Sequence, residues 1–167
     1  MTSPTYTVSL RPISAEAAAA VLAGRRPHDV RVADDYPTEF SDGVARQAGG
    51  ASPLGPFFIH RSSDDVAVGE IGGAFVAPGV AEIGYAIVAS CRGRGYATDA
   101  VRLLIEAARA AGTIDRLIAH TPLDRPASGR VVAKAGLRSL GEVDDEHEGV
   151  TMRVIRWELP LTATRDA

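Results

Sequence analysis

The 167-residue sequence holds a single cysteine, a single tryptophan and only 5% aromatic residues. Lone Cys91 excludes an internal disulfide framework and fits a reducing compartment, so a cytoplasmic location is expected. No long apolar stretch is present. The longest uncharged run, residues 47–60, is interrupted by glycine and proline, so no membrane-spanning segment or membrane partner is expected. The N-terminal stretch MTSPTYTVSLRP lacks both the basic start and the apolar run of a signal peptide. A basic excess is missing too: the net charge is −3, which argues against nucleic acid as a partner. What remains is 46% hydrophobic and 23% charged, the make-up of one globular domain that buries roughly 70% of its unfolded surface without staples.

The patterning predicts a mixed α+β domain over residues 1–167, in the order β-α-α-β-β-β-α-β-α-β-β. Tyr6, Val8 and Leu10 alternate with polar neighbours, which predicts a strand over 5–11. Ser14 reads as an N-cap for an alanine-rich helix over 15–23, with Glu16 in its first turn and Gly24 as its stop. A second helix is expected over 38–48. Three β-rich runs at 57–60, 66–76 and 81–88 read as a meander. The strongest helix is 96–111, with Ala97, Val101, Leu104, Ala108 and Ala111 on one face and Asp99, Arg102, Glu106 and Arg109 on the other. A strand at 117–121, a helix at 128–135, and closing strands at 137–143 and 150–159 around an acidic turn, 144–148, complete the order. Residues 162–167 read as a frayed tail.

The chemistry-bearing segment is the loop between the third meander strand and the long helix. Arg92, Gly93, Arg94 and Gly95 bring two flexible backbone positions and two fixed positive charges to a helix N-terminus, where free N–H groups and the dipole favour an anion. That combination suits a pyrophosphate. It is not a Walker loop, which needs four residues between its glycines followed by Lys-Ser/Thr. Nor is it a dinucleotide fingerprint, because Thr98 stands at the third glycine position and the loop follows a meander.

Glu82-Ile83-Gly84-Tyr85 followed by Arg92-Gly93-Arg94-Gly95-Tyr96-Ala97-Thr98 resembles the acetyl-CoA signature of the GCN5-related N-acetyltransferase (GNAT) superfamily. Thr121-Pro122, Ala127-Ser128, Arg130-Val131 and Lys134-Ala135-Gly136-Leu137 resemble its second conserved block. The two together are similar to the branch containing ribosomal-protein N-terminal acetyltransferases (RimJ/RimL-like), and the cofactor-binding core would run from about 66 to 137. The resemblance implies a mixed, mostly antiparallel sheet flanked by helices, with acetyl-CoA as acetyl donor and an amine as acceptor. It implies that the strand at Ala86, Ile87 and Val88 pairs with the pantetheine amides. Arg92, Gly93, Arg94, Gly95, Tyr96, Ala97 and Thr98 would then hold the pyrophosphate, and Ser128 would open a helix near the thioester sulfur. The chain departs from the pattern at Arg125, which stands where the family usually has an asparagine that contacts the cofactor; Pro126 stiffens the turn beside it.

Acetyl transfer to an amine needs a proton acceptor for the nitrogen and a proton donor for the departing sulfur. Related enzymes place a carboxylate where Glu82 stands, so Glu82 is the candidate base, as a buried group facing the thioester; Glu70 on the neighbouring strand is the second candidate. Ser128 is the candidate acid, and as the residue opening its helix it also reads as an N-cap. Tyr85 reads as core, His28, His60 and His120 as structural, and Cys91 as a small filler. The acidic turn, Asp144-Asp145-Glu146-His147-Glu148, reads as a solvated loop rather than metal ligands, and no metal is expected. The expected activity is direct transfer of the acetyl group to a primary amine, a protein N-terminus or a small molecule, by a monomer or homodimer. A non-catalytic acyl-CoA-binding module of the same fold is the alternative.

Overall fold

A computed structural model describes residues 3–50 and 52–162. Seven strands form one sheet in the order β1-β2-β3-β4-β5-β7-β6: β1 (Val8–Pro12), β2 (Phe57–Arg61), β3 (Val66–Ala77), β4 (Val80–Ile87), β5 (Arg116–Pro122), β6 (Arg138–His147) and β7 (Val150–Pro160). Every neighbouring pair is antiparallel except β4 and β5. The helices α1 (Ala15–Leu22), α2 (Ser41–Arg46), α3 (Tyr96–Ala111) and α4 (Pro126–Ala135) fall in the expected order. The element order and the mixed, mostly antiparallel sheet therefore agree with the sequence reading. Among the described residues no helix is long and apolar enough to cross a membrane.

Local chemistry accounts for the boundaries. Ser14 caps α1 as expected, its hydroxyl accepting the Ala17 N–H at 3.0 Å. Helix α3 buries Ala100, Val101, Leu104, Ile105 and Ala108 against the sheet, where Val68, Ile71 and Leu117 are also fully buried. Its other face is not simply solvated. Asp99 accepts the Thr7 N–H at 2.9 Å and the Thr7 hydroxyl at 2.7 Å, and Glu106 accepts the Tyr6 hydroxyl. These bonds fasten residues 6 and 7 to the helix, which is why β1 starts at Val8 and not at residue 5.

Three other boundaries differ from expectation. Helix α2 is confined to Ser41–Arg46, because the Thr38 N–H donates to Ser41 Oγ at 2.9 Å and the Phe40 N–H to Thr38 Oγ1 at 3.2 Å, a side-chain turn that competes with helix. Helix α4 begins at Pro126, whose fixed φ suits a first helical turn, so Ser128 lies inside that turn and is not its N-cap; Arg125 holds that position. The acidic segment is strand: β6 runs through His147, and the hairpin turns at Glu148 and Gly149, both at positive φ (51° and 79°). Arg153 on β7 makes the acidic strand tolerable by bonding Asp144 at 3.1 Å and Glu142 at 3.4 Å. The tail expected at 162–167 lies, beyond Thr162, outside the described residues.

Candidate active site

Strands β4 and β5 pair only through Val80–Glu82 and Arg116–Ile118. Past Glu82 the two diverge, while β4 stays registered with β3 and β5 with β7 through Pro122. Each strand is thus held on its outer edge, and its inner edge is left without a ladder. The wedge widens into a cavity of about 560 Å³ lined by Glu82, Tyr85, Ala86, His120 and Ser128, with Phe40 and Val44 on one side and Asp145, Glu146 and His147 on another.

The loop with Gly93 and Gly95 follows β4 beyond the point where it parts from β5. A single 3₁₀ turn, Ala89–Cys91, leads from β4 into Arg92, and Gly93 and Gly95 adopt φ of +74° and +82°. That left-handed backbone excludes most side chains and lets the chain enter α3 with the first-turn N–H groups free. Arg92, Gly93, Arg94 and Gly95 are exposed, Tyr96 and Ala97 half-buried and Thr98 buried. The Arg92 Nε–H turns back onto the Ile87 carbonyl at 3.0 Å. Of the residues expected to meet pantetheine, Val88 already donates its N–H to the Val68 carbonyl at 2.9 Å, Ala86 is registered with Glu70, and Ile87 with Gly69.

Helix α4 is placed by contacts with β5 and β7. Trp157 Nε1–H donates to the buried Thr121 Oγ1 at 2.8 Å, and a methyl group at Gly129 would stand 3.1 Å from the Trp157 ring, so only glycine lets the helix settle there without displacing it. Tyr85, expected as core, is half-buried and spans the wedge: its hydroxyl donates to the Ser128 carbonyl at 2.8 Å. Burial pushes that hydroxyl up to about 12, so it stays a donor at neutral pH. Arg125 leans away from α4, bonded to Glu39 at 2.7 Å with its guanidinium 6.0 Å from the centre of the Phe40 ring, and so ties the β5–α4 turn to the segment before α2.

The candidate bases part company here. Glu82 lines the wedge and is not buried: its side chain is 38% exposed and accepts a hydrogen bond from His120 Nδ1 at 2.7 Å. The expectation of a desolvated Glu82 fails because its side chain faces the open cavity where the strands part. Glu70 is the buried carboxylate, 1% exposed, and lies outside the cavity lining. The Tyr36 hydroxyl and, at 3.3 Å, the Thr38 hydroxyl donate to it. Burial raises its pKa above the usual carboxylate value, opposed by hydrogen bonds from Ser41, Tyr36 and Thr38.

Since the folded state holds the Glu70 proton more tightly than the unfolded chain, this group's contribution is complete below the unfolded value, about 4.3, and is lost as pH rises through the folded one. Glu70→Gln does not titrate. Urea unfolding of both proteins from about pH 4 to about pH 8 is therefore expected to show the variant gaining stability relative to the parent as pH rises. A pH-independent difference would mean that Glu70 carries no such shift.

The remaining candidates sort simply. His60 is 3% exposed, its Nδ1 3.2 Å from the Asp65 carbonyl and its ring edge-on to Phe58, a structural role as expected. His28 is exposed. Cys91 is buried, with Sγ 3.6 Å from Arg61 Nη1 and from Ser90 Oγ. Among the described residues no three His, Cys, Asp or Glu side chains gather as metal ligands. His120, read as structural, is the residue that the sequence reading missed. Its partnership with Glu82 crosses 38 positions of chain and depends on the β4–β5 register, which no local pattern announces.

Residues 7–138 match the acetyltransferase (GNAT) domain family. No protein of curated function matches the sequence. Among solved structures, an acetyltransferase of the GNAT family from Bacillus anthracis superposes with a TM-score of 0.70 at 16% identity, covering 96% of this chain and 99% of that one. A ribosomal-protein-S5-alanine acetyltransferase from Vibrio fischeri gives 0.67 at 15% identity, over 96% of both chains. The microcin self-immunity acetyltransferase MccE, in complex with acetyl-CoA and AMP, gives 0.67 at 16% identity over 92% of both.

Proposed function

Because the chain belongs to the GNAT family of N-acetyltransferases, we propose that it moves the acetyl group of acetyl-CoA directly to a primary amine held in the wedge between β4 and β5. The acceptor is a protein N-terminus or a small-molecule amine. The parting of β4 and β5 after Glu82 carries this reading, since it leaves a slot with Glu82, His120 and Ser128 on its walls, on the strand that leads into the loop with Gly93 and Gly95.

When bound, acetyl-CoA supplies an acyl group already activated as a thioester. The residues present fit it. Left-handed Gly93 and Gly95 open the first-turn N–H groups of Tyr96, Ala97 and Thr98 to a pyrophosphate, with Arg92 and Arg94 adding charge and the α3 dipole aligned with both. On the unladdered edge of β4 the Ile87 carbonyl is the partner for a pantetheine amide, once the Arg92 Nε–H that holds it turns to the phosphates; Val88, with its N–H on Val68 and its carbonyl accepting the Cys91 N–H, is already satisfied. The hydrogen-bonded pair Glu82–His120 takes up a proton from the acceptor nitrogen, and Ser128 Oγ, which lines the same wedge, returns one to the departing sulfur.

Because Ser128 is not the N-cap of α4, its hydroxyl can be removed without the roughly 1 kcal/mol loss of a helix cap. Ser128→Ala is thus expected to lower kcat by about 10²-fold, the low end of what a positioned proton donor contributes, at unchanged acetyl-CoA affinity and melting temperature. Parental turnover in the variant would remove the acid role. The function itself is tested by thiol release from acetyl-CoA with a panel of N-terminal peptides, polyamines, aminoglycosides and amino acids. At least one class should accelerate release well above the amine-free rate; if none does, the reading fails.

A further inference from the structure

Glu82 is the last β4 residue with a partner on β5, and His120 lies two residues beyond that partner, Ile118, on the same sheet face. The two side chains therefore meet at the point where the strands part. A carboxylate can only accept, so in the neutral imidazole the 2.7 Å contact calls for the hydrogen on Nδ1 and leaves Nε2, at the far corner of the ring, with the lone pair. The imidazole is also the more enclosed of the two groups, 15% exposed against 38%. Both line the wedge.

We propose that the proton leaving the acceptor amine is received at Nε2 of His120, and that Glu82 is a positioning residue that holds the Nδ1–H tautomer and stabilises the imidazolium. The assignment rests on the transferase reading and names the atom where its proton goes. An alkylammonium acceptor gives up two protons as the C–N bond forms and the C–S bond breaks. One passes to Nε2 and from there to water, and the other leaves on the sulfur as the thiol. The products are one amide, one thiol and one proton in solution. Besides Glu82, the charged groups around His120 come from three elements. Arg156 stands opposite it on β7, its buried Nε without a partner among the described residues; Asp145, Glu146 and His147 reach the wedge from β6, and Arg125 from the turn before α4.

Two measurements test the assignment. In protein labelled with nitrogen isotope at histidine, long-range proton–nitrogen spectra should show His120 above its titration as the Nδ1–H tautomer, identified by its loss in His120→Asn; an Nε2–H tautomer would overturn the proposal without any assay of turnover. In kinetics with the most active amine of the panel, His120→Asn keeps an N–H towards Glu82 and has no atom at Nε2. Its kcat should fall on the order of 10²–10³-fold, with the acetyl-CoA-induced rise in melting temperature unchanged, and added imidazole should partly restore His120→Ala. His120→Asn turning over like the parent while Glu82→Gln is impaired would make Glu82 itself the acceptor and overturn the proposal. A parent inactive with every amine, though acetyl-CoA still raises its melting temperature, would sink the transferase reading, and this assignment with it.

Discussion

Gly95→Val is expected to abolish the thermal stabilisation that acetyl-CoA confers on the parent. A ligand that binds only the native state at about 100 times its Kd contributes about 2.7 kcal/mol, which for a chain of this size raises the melting temperature by about 5–10 °C. A Cβ at Gly95 would meet nothing within 4 Å, so valine is not excluded by a clash. It is excluded by φ of +82°, where a β-branched side chain costs about 1–3 kcal/mol and drives the backbone out of the left-handed region. The loop then no longer delivers the first-turn N–H groups of α3 to one point. Gly112→Val is the matched control: φ there is +70°, the Cβ position is equally open, and the site is the other end of the same helix. Both variants should melt a few degrees low, and only Gly112→Val should respond to acetyl-CoA. An unimpaired shift in Gly95→Val would show that the pyrophosphate is held elsewhere, and a shift with NAD or ATP in place of acetyl-CoA would contradict the cofactor assignment.

Glu82→Gln should cost as much in turnover as His120→Asn, a kcat loss on the order of 10²–10³-fold at neutral pH. The variant keeps the shape of the side chain and an oxygen towards His120 Nδ1, and loses the charge that fixes the tautomer and supports the imidazolium. A free alkylammonium has a pKa of about 10.4, so below it the fraction already deprotonated rises about tenfold per pH unit. With His120 no longer held and charge-supported as the acceptor, the variant depends on that fraction. The deficit of Glu82→Gln should therefore be deepest at low pH and shrink as pH rises, with acetyl-CoA binding nearly unchanged. A pH–rate curve that overlays the parent's would make Glu82 a bystander.

What could be read from the sequence was what local chemistry controls. Gly93 and Gly95 ahead of an amphipathic stretch specify a left-handed turn into a helix whichever fold surrounds them, and Ser14 caps α1 for the same kind of reason. Where the outcome depended on partners distant in the chain, the reading missed. The acidic run became strand because Arg153 faces it across a hairpin. Glu70 and Glu82 look alike on neighbouring strands, yet residues 36–41 seal one under hydroxyl groups and the split of β4 from β5 leaves the other lining an open cavity. His120 carries no local signal, since its role is created by a parallel pairing that ends two residues before it. Arg125 is intermediate: its departure from the family pattern was visible, but its attachment to Glu39 and Phe40 was not.

Direct transfer within the wedge is tested most directly by following the label of acetyl-labelled acetyl-CoA mixed with the protein, first alone and then with the amine that gives the fastest thiol release. The wedge offers a carboxylate, an imidazole and a hydroxyl placed to move protons, while Cys91 is buried beside Arg61 and lines no part of it. The label should stay off the protein before the amine is added and pass to the amine afterwards, one acetyl group for each thiol released. Label bound covalently to the protein before the amine arrives, or bound acetyl-CoA whose label reaches no amine at all, would contradict the account.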